Sequence, residues 1–410
     1  MKGDVYMNNY IFLTNMYLPK PGATGLCVHQ LAKELVKDNK VYMICYEDGF
    51  DKISYDGINV IKIKIPSYLK NQDNMSKIKK KINIIYSLLK KAIYFYMYPL
   101  RSKSLIRRYK KSIETIINNI NGGNIKIIAS YTPLEAVIAA YEIKEKYKER
   151  VEIIYYSTDT LSNEQGDDGF LPSSYRTKCG LKWEKKLFEL YDKIIIMECH
   201  KNHYLSLEFD QFKNKMYIAN FPFLENHNIN QKKKINSKKE ISMIYAGTLY
   251  RNLRNPSFML SSLIEVLKER EINVDIYGSG DCDDIVQNAI IKSNYKIKSN
   301  GMISHDDVLK KIYNTDVLLS IGNKESPMVP SKIYEYMSTG KPIIHFYFYD
   351  GDPCIEPLKR YGNALLIKDN DKLSKDKIFE FLKNFKQLEF KDIEKMFLTS
   401  APKYTVDLLK

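Results

Sequence analysis

The segment from Pro330 to Ile344 carries residue types and spacing that suit a phosphorylated ligand. Proline opens it at the position where a missing N–H costs a helix least. Gly340, followed by Pro342, closes it. This pattern predicts a helix of about two to three turns followed by an apolar strand. The amino end of such a helix presents free N–H groups and the positive end of its dipole, and both favour a phosphate.

Three polar side chains lie near the start of this predicted helix. Ser331 and Lys332 are at its amino end, and Glu335 is one turn further on the same face as Ser331. A carboxylate there can accept hydrogen bonds from two neighbouring ribose hydroxyls. Phosphate at the tip and ribose beside it is the layout that a nucleotide-sugar donor needs. The alternative is an ordinary capped helix with its carboxylate in solvent.

Two cations follow the predicted strand Ile241–Ala246. Arg251 and Arg254 lie in the loop from Gly247 to Asn255. Either guanidinium can neutralise the negative charge that develops on a leaving diphosphate. The alternative is that one or both are solvated loop arginines.

Asp159 follows a predicted strand at 151–156. A carboxylate at such a strand end can orient or deprotonate an acceptor hydroxyl. An inverting enzyme would need this base, whereas a retaining front-face mechanism would not. The alternative is a strand-end or helix-capping aspartate.

The loop from Gly22 to Gly25 combines two glycines between a predicted strand and helix. Glycine tolerates positive φ and has no Cβ, so a ligand can approach the backbone closely. No Gly-Lys-Ser/Thr follows, which excludes a Walker A loop. The alternative is a plain strand–helix turn.

The sequence favours neither a metal ion nor a disulfide framework. None of the six cysteines has C-x-x-C spacing, and the histidines do not cluster with them. The pairs Asp281-x-Asp283 and Asp350-x-Asp352 resemble a metal signature of another fold, but that signature is short and common. We therefore expect no metal and no cofactor other than the donor substrate itself.

These residues must be positioned by a large α/β scaffold. At 410 residues the chain is long enough for two domains, and strands alternate with helices along it. Such alternation predicts doubly wound parallel sheets, which bind ligands outside the carboxyl ends of their strands. Strands are expected at 10–14, 41–46, 125–130, 151–156, 193–197, 241–246, 274–277, 296–298, 317–320 and 343–348.

In order and spacing, four segments resemble the family 4-like retaining glycosyltransferases of the GT-B fold. The segments are Asn15–Leu35, Tyr245–Leu249, Tyr277–Gly280 and Val329–Ile344. The resemblance implies an α/β architecture of two Rossmann-like doubly wound domains facing across a cleft. The expected boundaries are an acceptor-binding domain at 1–225, a linker at 226–240, a donor-binding domain at 241–390, and a C-terminal helical segment at 391–410 that can return to the first domain.

The resemblance also assigns residues. Glu335 matches the second of the family's two spaced glutamates, but Pro327 stands at the first position and Glu325 lies two residues earlier. No histidine occurs at 129–133, where many relatives have one. The donor-binding residues implied are Gly22, Gly25, Gly247, Gly278, Glu325, Ser331, Lys332 and Glu335, with Arg254, Arg251 and Asp159 as the catalytic candidates.

Residues 77–111 contain twelve Lys or Arg and no Asp or Glu, within a chain of net charge +15. Apolar residues recur there at helical spacing, and aromatic residues are interleaved. A basic amphipathic stretch of this kind suits an anionic membrane surface. The alternatives are a solvated helix face, or RNA binding, for which no signature is present. The residues expected to face the membrane are Lys79, Lys80, Lys81, Lys90 and Lys91.

Together these patterns favour a hexosyltransferase that moves a sugar from a nucleotide diphosphate to a glycan or lipid-linked glycan in surface polysaccharide assembly. No signal peptide and no apolar run of about 18 residues is recognised, so we expect a cytoplasmic protein, peripheral at the inner face of the cell membrane. Its expected partners are the nucleotide sugar, the acceptor and that surface, without nucleic acid. The alternatives are a nucleotide-sugar epimerase of the same fold or a degenerate sugar-nucleotide-binding protein.

Overall fold

The computed structural model divides the chain into two compact units, Met1–Asn220 with Pro402–Lys410, and Phe221–Ala401. The second unit thus begins ahead of the predicted linker, and the last helix of the chain belongs to the first unit. The structure describes residues 8–19, 21–47, 49, 53–66, 98–120, 122–130, 132–162, 171–227, 240–324, 330 and 332–410.

The first unit is built on an eight-stranded sheet with the order β3-β4-β2-β1-β5-β6-β7-β8. All neighbouring strands are parallel except β3, which pairs antiparallel with β4. The strands are β1 (Asn9–Leu13), β2 (Lys40–Tyr46), β3 (Ser54–Tyr55), β4 (Ile58–Ile63), β5 (Ile125–Ser130), β6 (Val151–Ser157), β7 (Lys193–Met197) and β8 (Met216–Ala219).

Helices of the first unit cover this sheet and bury near-continuous apolar strands, as a doubly wound parallel sheet requires. Its core includes the buried residues Ile127, Ile153 and Tyr155. The helices are α1 (Ala23–Leu35), α2 (Lys103–Asn119), α3 (Leu134–Tyr147), α4 (Ser173–Leu190), α5 (Lys201–Tyr204) and the C-terminal helix Pro402–Leu409, which becomes α13 in chain order. Short 3₁₀ segments are Lys148–Arg150, Glu198–His200 and Leu207–Lys215.

The second unit contains a six-stranded, fully parallel sheet with the order β11-β10-β9-β12-β13-β14. Val317, Leu319 and Ile344 lie in its core. The strands are β9 (Ile241–Ala246), β10 (Ile272–Tyr277), β11 (Ile297–Ser299), β12 (Val317–Ile321), β13 (Ile343–Tyr347) and β14 (Ala364–Lys368). The helices are α6 (Ser257–Leu267), α7 (Asp283–Lys292), α8 (His305–Asn314), α9 (Lys332–Ser338), α10 (Ile355–Tyr361), α11 (Ser374–Asn384) and α12 (Phe390–Met396), with a 3₁₀ segment at Leu398–Ser400.

Both sheets wind outward in two directions from a central strand, β1 in the first unit and β9 in the second. Successive strands are added first on one side of the central strand and then on the other, so the two halves of the sheet meet between β1 and β5 in one unit and between β9 and β12 in the other. At such switch points the loops after adjacent strands diverge and leave room for a ligand. The loops after β9 and β12 therefore border the position where a doubly wound sheet binds a ligand.

The predicted strands are all present, but the sequence did not reveal β3, β4, β8 and β14. These strands lie at or beside the sheet edges and are partly exposed, so their apolar runs are weak. Among the helices in the part of the chain that the structure describes, none combines the length and apolar character needed to cross a bilayer.

Candidate functional site

Arg254 lies at the switch point of the second sheet. Its Nε donates a 2.6 Å hydrogen bond to Oδ1 of Asn323, which follows β12 and is buried. Backbone bonding reinforces the contact, since the N–H of Lys324 reaches the carbonyl of Leu253 at 2.7 Å. Burial raises the pKa of Tyr245 to about 12, although the guanidinium of Arg254 beside its hydroxyl acts in the opposite direction. A fixed cation thus lies at the carboxyl end of the central strand β9.

Arg251, in the same loop, has a different environment. Its guanidinium pairs with Oδ1 of Asp284 at 2.6 Å, and both side chains are well exposed. Its backbone N–H also donates to Oδ1 of Asp281 at 2.7 Å, and this bond lowers the pKa of that carboxyl. The charge of Arg251 is therefore balanced by the acidic start of α7, which makes Arg254 the better placed of the two to meet a ligand.

Lys332 and Glu335 form a pair within the first turn of α9. Nζ of Lys332 lies 2.8 Å from Oε1 of Glu335, whose side chain is 6% exposed against 29% for the lysine. Burial opposes ionisation of Glu335, but Lys332 outweighs it together with the nearby imidazoles of His305 and His227, so the pKa of this carboxyl is lowered. The predicted donor glutamate is thus a buried carboxylate held in its ionised form.

His305 and His227 are functional candidates that the sequence reasoning missed. His305 is the first residue of α8, and His227 falls within the predicted linker, where its ring packs edge-on against Tyr313. Burial lowers the pKa of His305, although Glu335 pulls it upward. Neither histidine belongs to a sequence pattern, so only their position beside Glu335 reveals them.

The helix α9 has seven residues, close to the two to three turns predicted, and it ends as predicted. Gly340 has φ +72°, and a Cβ there would lie 2.0 Å from the carbonyl oxygen of Leu388. At its other side, the hydroxyl oxygen of Tyr336 accepts a 2.9 Å hydrogen bond from the N–H of Ala246. This bond fixes α9 to the carboxyl end of β9. Ser331 and Glu325 lie outside the described residues.

Gly247 and Gly278 bring two loops of the second unit together. A Cβ on Gly278 would fall 1.9 Å from the carbonyl oxygen of Gly247. The N–H of Gly247 in turn donates to the carbonyl of Tyr277 at 2.9 Å. The chain's own packing therefore requires glycine at 278, and a donor contact there stays a prediction.

In the first unit, the segment from Gly22 to Gly25 was predicted to be a loop, but most of it belongs to α1. The helix begins at Ala23, so Gly22 is its N-cap residue and Gly25 lies in its first turn. A Cβ on Gly25 would meet the carbonyl oxygen of Met16 at 2.1 Å. Glycine at this position therefore allows the helix start to pack on the loop after β1, a contact that no local sequence signal shows.

Asp159 lies in the turn after β6, close to the start of α1. The hydroxyls of Thr158 and Thr24 are 3.3 Å apart, which joins the two segments. The turn is tightened by Ser157, whose hydroxyl donates to the carbonyl of Asp159 at 2.9 Å. The structure thus brings the predicted acceptor-side carboxylate and the predicted glycine loop to one edge of the first sheet.

Glu184 supports this edge and was not recognised from the sequence. It is fully buried in α4 and accepts bonds from the N–H of Leu161 at 2.7 Å, the N–H of Ser162 at 3.3 Å and the hydroxyl of Tyr204 at 3.0 Å. A glutamate at helical spacing from Gly180 and Leu187 on the buried face was the available signal. It holds the chain that leads away from Asp159.

The two predicted Asp-x-Asp pairs have different environments. Asp281 bonds the loop of Arg251, as described, and Asp350 forms an exposed pair with Lys368 at 2.7 Å. Asp352 is buried and lies 3.5 Å from Nε2 of His345. The five lysines predicted to face a membrane lie outside the described residues.

The sequence matches no protein-family profile and no curated protein. Solved structures do match over nearly the whole chain. HepE of Anabaena in complex with UDP and glucose has a TM-score of 0.52 and 14% identity, covering 98% of this chain and 95% of its own. Sucrose-phosphate synthase from Thermosynechococcus elongatus has a TM-score of 0.56 and 11% identity, and the match covers 98% of this chain and 94% of its own. WaaG, a glycosyltransferase involved in lipopolysaccharide biosynthesis, has a TM-score of 0.53 and 12% identity, and the match covers 98% of this chain and 99% of its own.

The chain has the GT-B fold. At these identities the similarity establishes the architecture of two Rossmann-like units and leaves activity to be argued from the side chains. Arg254, Lys332 and Glu335 all lie in the second of these units.

Proposed function

We propose that this chain is a glycosyltransferase that moves a hexosyl group from a nucleotide diphosphate to a glycan or lipid-linked glycan. The observation that carries the proposal is the buried, ionised Glu335, paired with Lys332 on a helix fixed to the end of β9. A buried carboxylate is costly unless it is paired and hydrogen-bonded. An ionised carboxylate beside the switch point is the group needed to accept hydrogen bonds from two neighbouring ribose hydroxyls.

The roles of the donor-side residues follow from their partners. Oε1 of Glu335 accepts the Lys332 bond, and Oε2 is the acceptor that we assign to the ribose. Lys332 then lies where it can also approach the diphosphate. Arg254, held by Asn323, would meet the negative charge that grows on the leaving diphosphate. Preorganised charge of this kind stabilises the transition state because no reorganisation is needed during the reaction.

We assign the acceptor to the first unit, beside Asp159, and we keep Gly22 and Gly25, at the same edge of that sheet, as donor-binding residues. In this proposal the chemistry proceeds with retention and without a metal ion or cofactor, so Asp159 orients the acceptor hydroxyl and need not form a covalent bond. Catalysis would then rest on positioning and charge stabilisation. Membership of the family 4-like enzymes is part of the same proposal and rests on the four matching segments.

The cellular setting that we propose is surface polysaccharide assembly at the inner face of the cell membrane. The support is the basic stretch at 77–111 with its interleaved aromatic residues. WaaG acts in lipopolysaccharide biosynthesis and WaaB is a lipopolysaccharide outer core galactosyltransferase, so similar architectures serve surface glycans. HepE was crystallised with UDP-glucose, which makes that compound the first donor to test here.

The test incubates the purified chain with radiolabelled nucleotide sugars, UDP-glucose first, and with a bacterial lipid extract. Transfer of label to a lipid or glycan fraction is the expected result. Conversion of the nucleotide sugar to its epimer without an acceptor would identify an epimerase. Donor binding by calorimetry with neither reaction would identify a sugar-nucleotide-binding protein. Either of the last two results would overturn the proposal.

A further inference from the structure

Three side chains that the proposed function does not use meet near the carboxyl end of β13. His345 lies within β13, Asp352 in the turn that follows it, and Cys354 immediately before α10. We call this group the His345–Asp352–Cys354 cluster. All three residues are buried, with exposed fractions of 0%, 3% and 0%. One possible ligand atom from each lies within 4.8 Å of those of the other two.

The distance between the imidazole and the carboxylate does not suit a direct hydrogen bond. Nε2 of His345 lies 3.5 Å from Oδ2 of Asp352, whereas N–H···O bonds are about 2.7–3.2 Å long. Among the described residues neither atom has a hydrogen-bond partner, although both are buried. Leaving such atoms unsatisfied costs about 1–3 kcal/mol each, and more for a charged group. A cation between the two atoms would satisfy both of them.

A tetrahedral metal ion matches this spacing. With zinc–nitrogen and zinc–oxygen distances of about 2.0–2.1 Å, two ligand atoms at the tetrahedral angle are about 3.4 Å apart. The observed distance between Nε2 and Oδ2 is 3.5 Å. Gly322 leaves room for the carboxylate of Asp352 because it has no side chain. A Cβ at this residue would lie 1.8 Å from Oδ2 of Asp352.

The remaining polar atoms of the cluster are oriented by neighbours. Nδ1 of His345 lies 3.0 Å from the hydroxyl of Ser320, which directs Nε2 toward Asp352. Oδ1 of Asp352 accepts a 2.8 Å bond from the N–H of Cys354, which directs Oδ2 toward His345. Metal-binding histidines and carboxylates are normally held in this way through their second atoms.

We propose that His345, Asp352 and Cys354 bind one divalent transition-metal ion, with water in the fourth position. Imidazole nitrogen, carboxylate oxygen and thiolate sulfur together match the preferences of Zn²⁺. The ion would join β13 to the turn before α10. The site lies next to Gly322, whose N–H donates a 2.8 Å hydrogen bond to the carbonyl of Phe346 in β13. This role is structural, and it does not depend on the proposed glycosyltransferase activity.

The test measures metal bound to the full chain, prepared without a histidine tag or chelator and dialysed against buffer containing Zn²⁺, then against metal-free buffer. Plasma mass spectrometry should find about one zinc ion per chain, as a buried site of three protein ligands would retain. Replacing zinc with Co²⁺ should produce intense visible bands of a tetrahedral ion and a near-ultraviolet thiolate-to-cobalt band. Cys354→Ser should abolish the thiolate band, and His345→Gln should reduce zinc content at least tenfold.

Cys282→Ser is the matched control. Cys282 is likewise a buried cysteine of the second unit, with its Sγ 3.4 Å from Oδ1 of Asp281. That variant should retain zinc and the cobalt spectrum unchanged. A wild-type chain that holds no zinc after dialysis, or gives no thiolate-to-cobalt band, would overturn the proposal whether or not the variants fold. Equal zinc content in wild type and Cys354→Ser would exclude the thiolate as a ligand and overturn it as well.

Discussion

Nε of Arg254 donates a 2.6 Å hydrogen bond to Oδ1 of Asn323, and this contact joins the loops that follow β9 and β12. The two residues are 69 positions apart in the chain. The guanidinium is therefore fixed at the switch point of the sheet before any ligand arrives. Arg251, only three residues away, is instead balanced by Asp284.

Arg254→Ala should lower kcat by about 100-fold, the scale seen when one preorganised donor to developing charge is removed. Donor affinity should fall much less, because the charge on the diphosphate grows only as the sugar leaves. Steady-state kinetics with the best donor, combined with calorimetric donor titration, separates the two effects. Arg251→Ala is the control and should keep nearly normal kcat. If both variants kept the wild-type kcat, the arginines of this loop would have no electrostatic role in the reaction.

Glu335→Gln should weaken donor binding about tenfold or more, since hydrogen bonds to a charged group contribute roughly 1.5–3 kcal/mol. The substitution keeps the shape of the side chain but removes the charge that Lys332 and the ribose would share. Calorimetric titration with the donor measures the loss. Glu356→Gln, an exposed glutamate in α10, is the matched control. A folded Glu335→Gln variant with unchanged donor affinity would contradict our assignment.

Lys341→Met should stabilise the protein near neutral pH. Burial lowers the pKa of Lys341 to about 8 from 10.5, although Asp316 opposes the shift. A difference of one pKa unit corresponds to about 1.4 kcal/mol. Below the pKa of the folded state, the buried ammonium therefore destabilises the folded protein by roughly 3 kcal/mol. Urea unfolding at pH 7 should show the gain, whereas the exposed Lys359→Met should show little change.

The same lysine predicts a pH dependence with a definite sign. Between about pH 8 and 10.5 the unfolded chain still binds the proton that the folded chain has released. The free energy of unfolding should therefore rise with pH across this range in the wild type. Lys341→Met should lack that part of the rise. Parallel pH profiles for the two proteins would show that Lys341 is not buried as a cation.

Glu184→Ala should destabilise the first unit by about 2–4 kcal/mol, because buried donors at Leu161, Ser162 and Tyr204 lose their acceptor. Chemical unfolding measures the change. Glu189→Ala is the control on the same helix, where residue 189 is exposed. A loss of equal size in both variants would mean that the buried hydrogen bonds of Glu184 do not explain the effect.

Replacing Lys79, Lys80, Lys81, Lys90 and Lys91 with glutamine should release the protein from anionic vesicles. Each cation near such a surface contributes about 1 kcal/mol, and salt screens the attraction. Flotation with phosphatidylserine vesicles at low and high salt tests this. Transfer to a short soluble acceptor should remain largely intact. If the wild type does not float at low salt, or the variant floats equally well, the solvated-helix interpretation is favoured.

The alternation of apolar strands and helices was sufficient to predict the parallel α/β architecture. The strands β5, β7 and β9 have the bounds read from the sequence, because buried parallel strands are near-continuous apolar runs. The start of α1 was placed too late, since the contact between Gly25 and the carbonyl of Met16 is tertiary. The edge strand β14 was missed because its residues are only half buried.

For the candidate site, the sequence alone determined which residue types are present and at which strand ends they fall. In this way Arg254 was placed in the loop after a predicted strand, and Glu335 was placed in a predicted helix. Only the tertiary structure decided that Arg254 contacts Asn323, that His305 lies beside Glu335, and that His345 meets Asp352. Parallel strands bring together loops that are far apart in the chain, so the charge, burial and spacing of such pairs are set by sheet order, which no local pattern encodes.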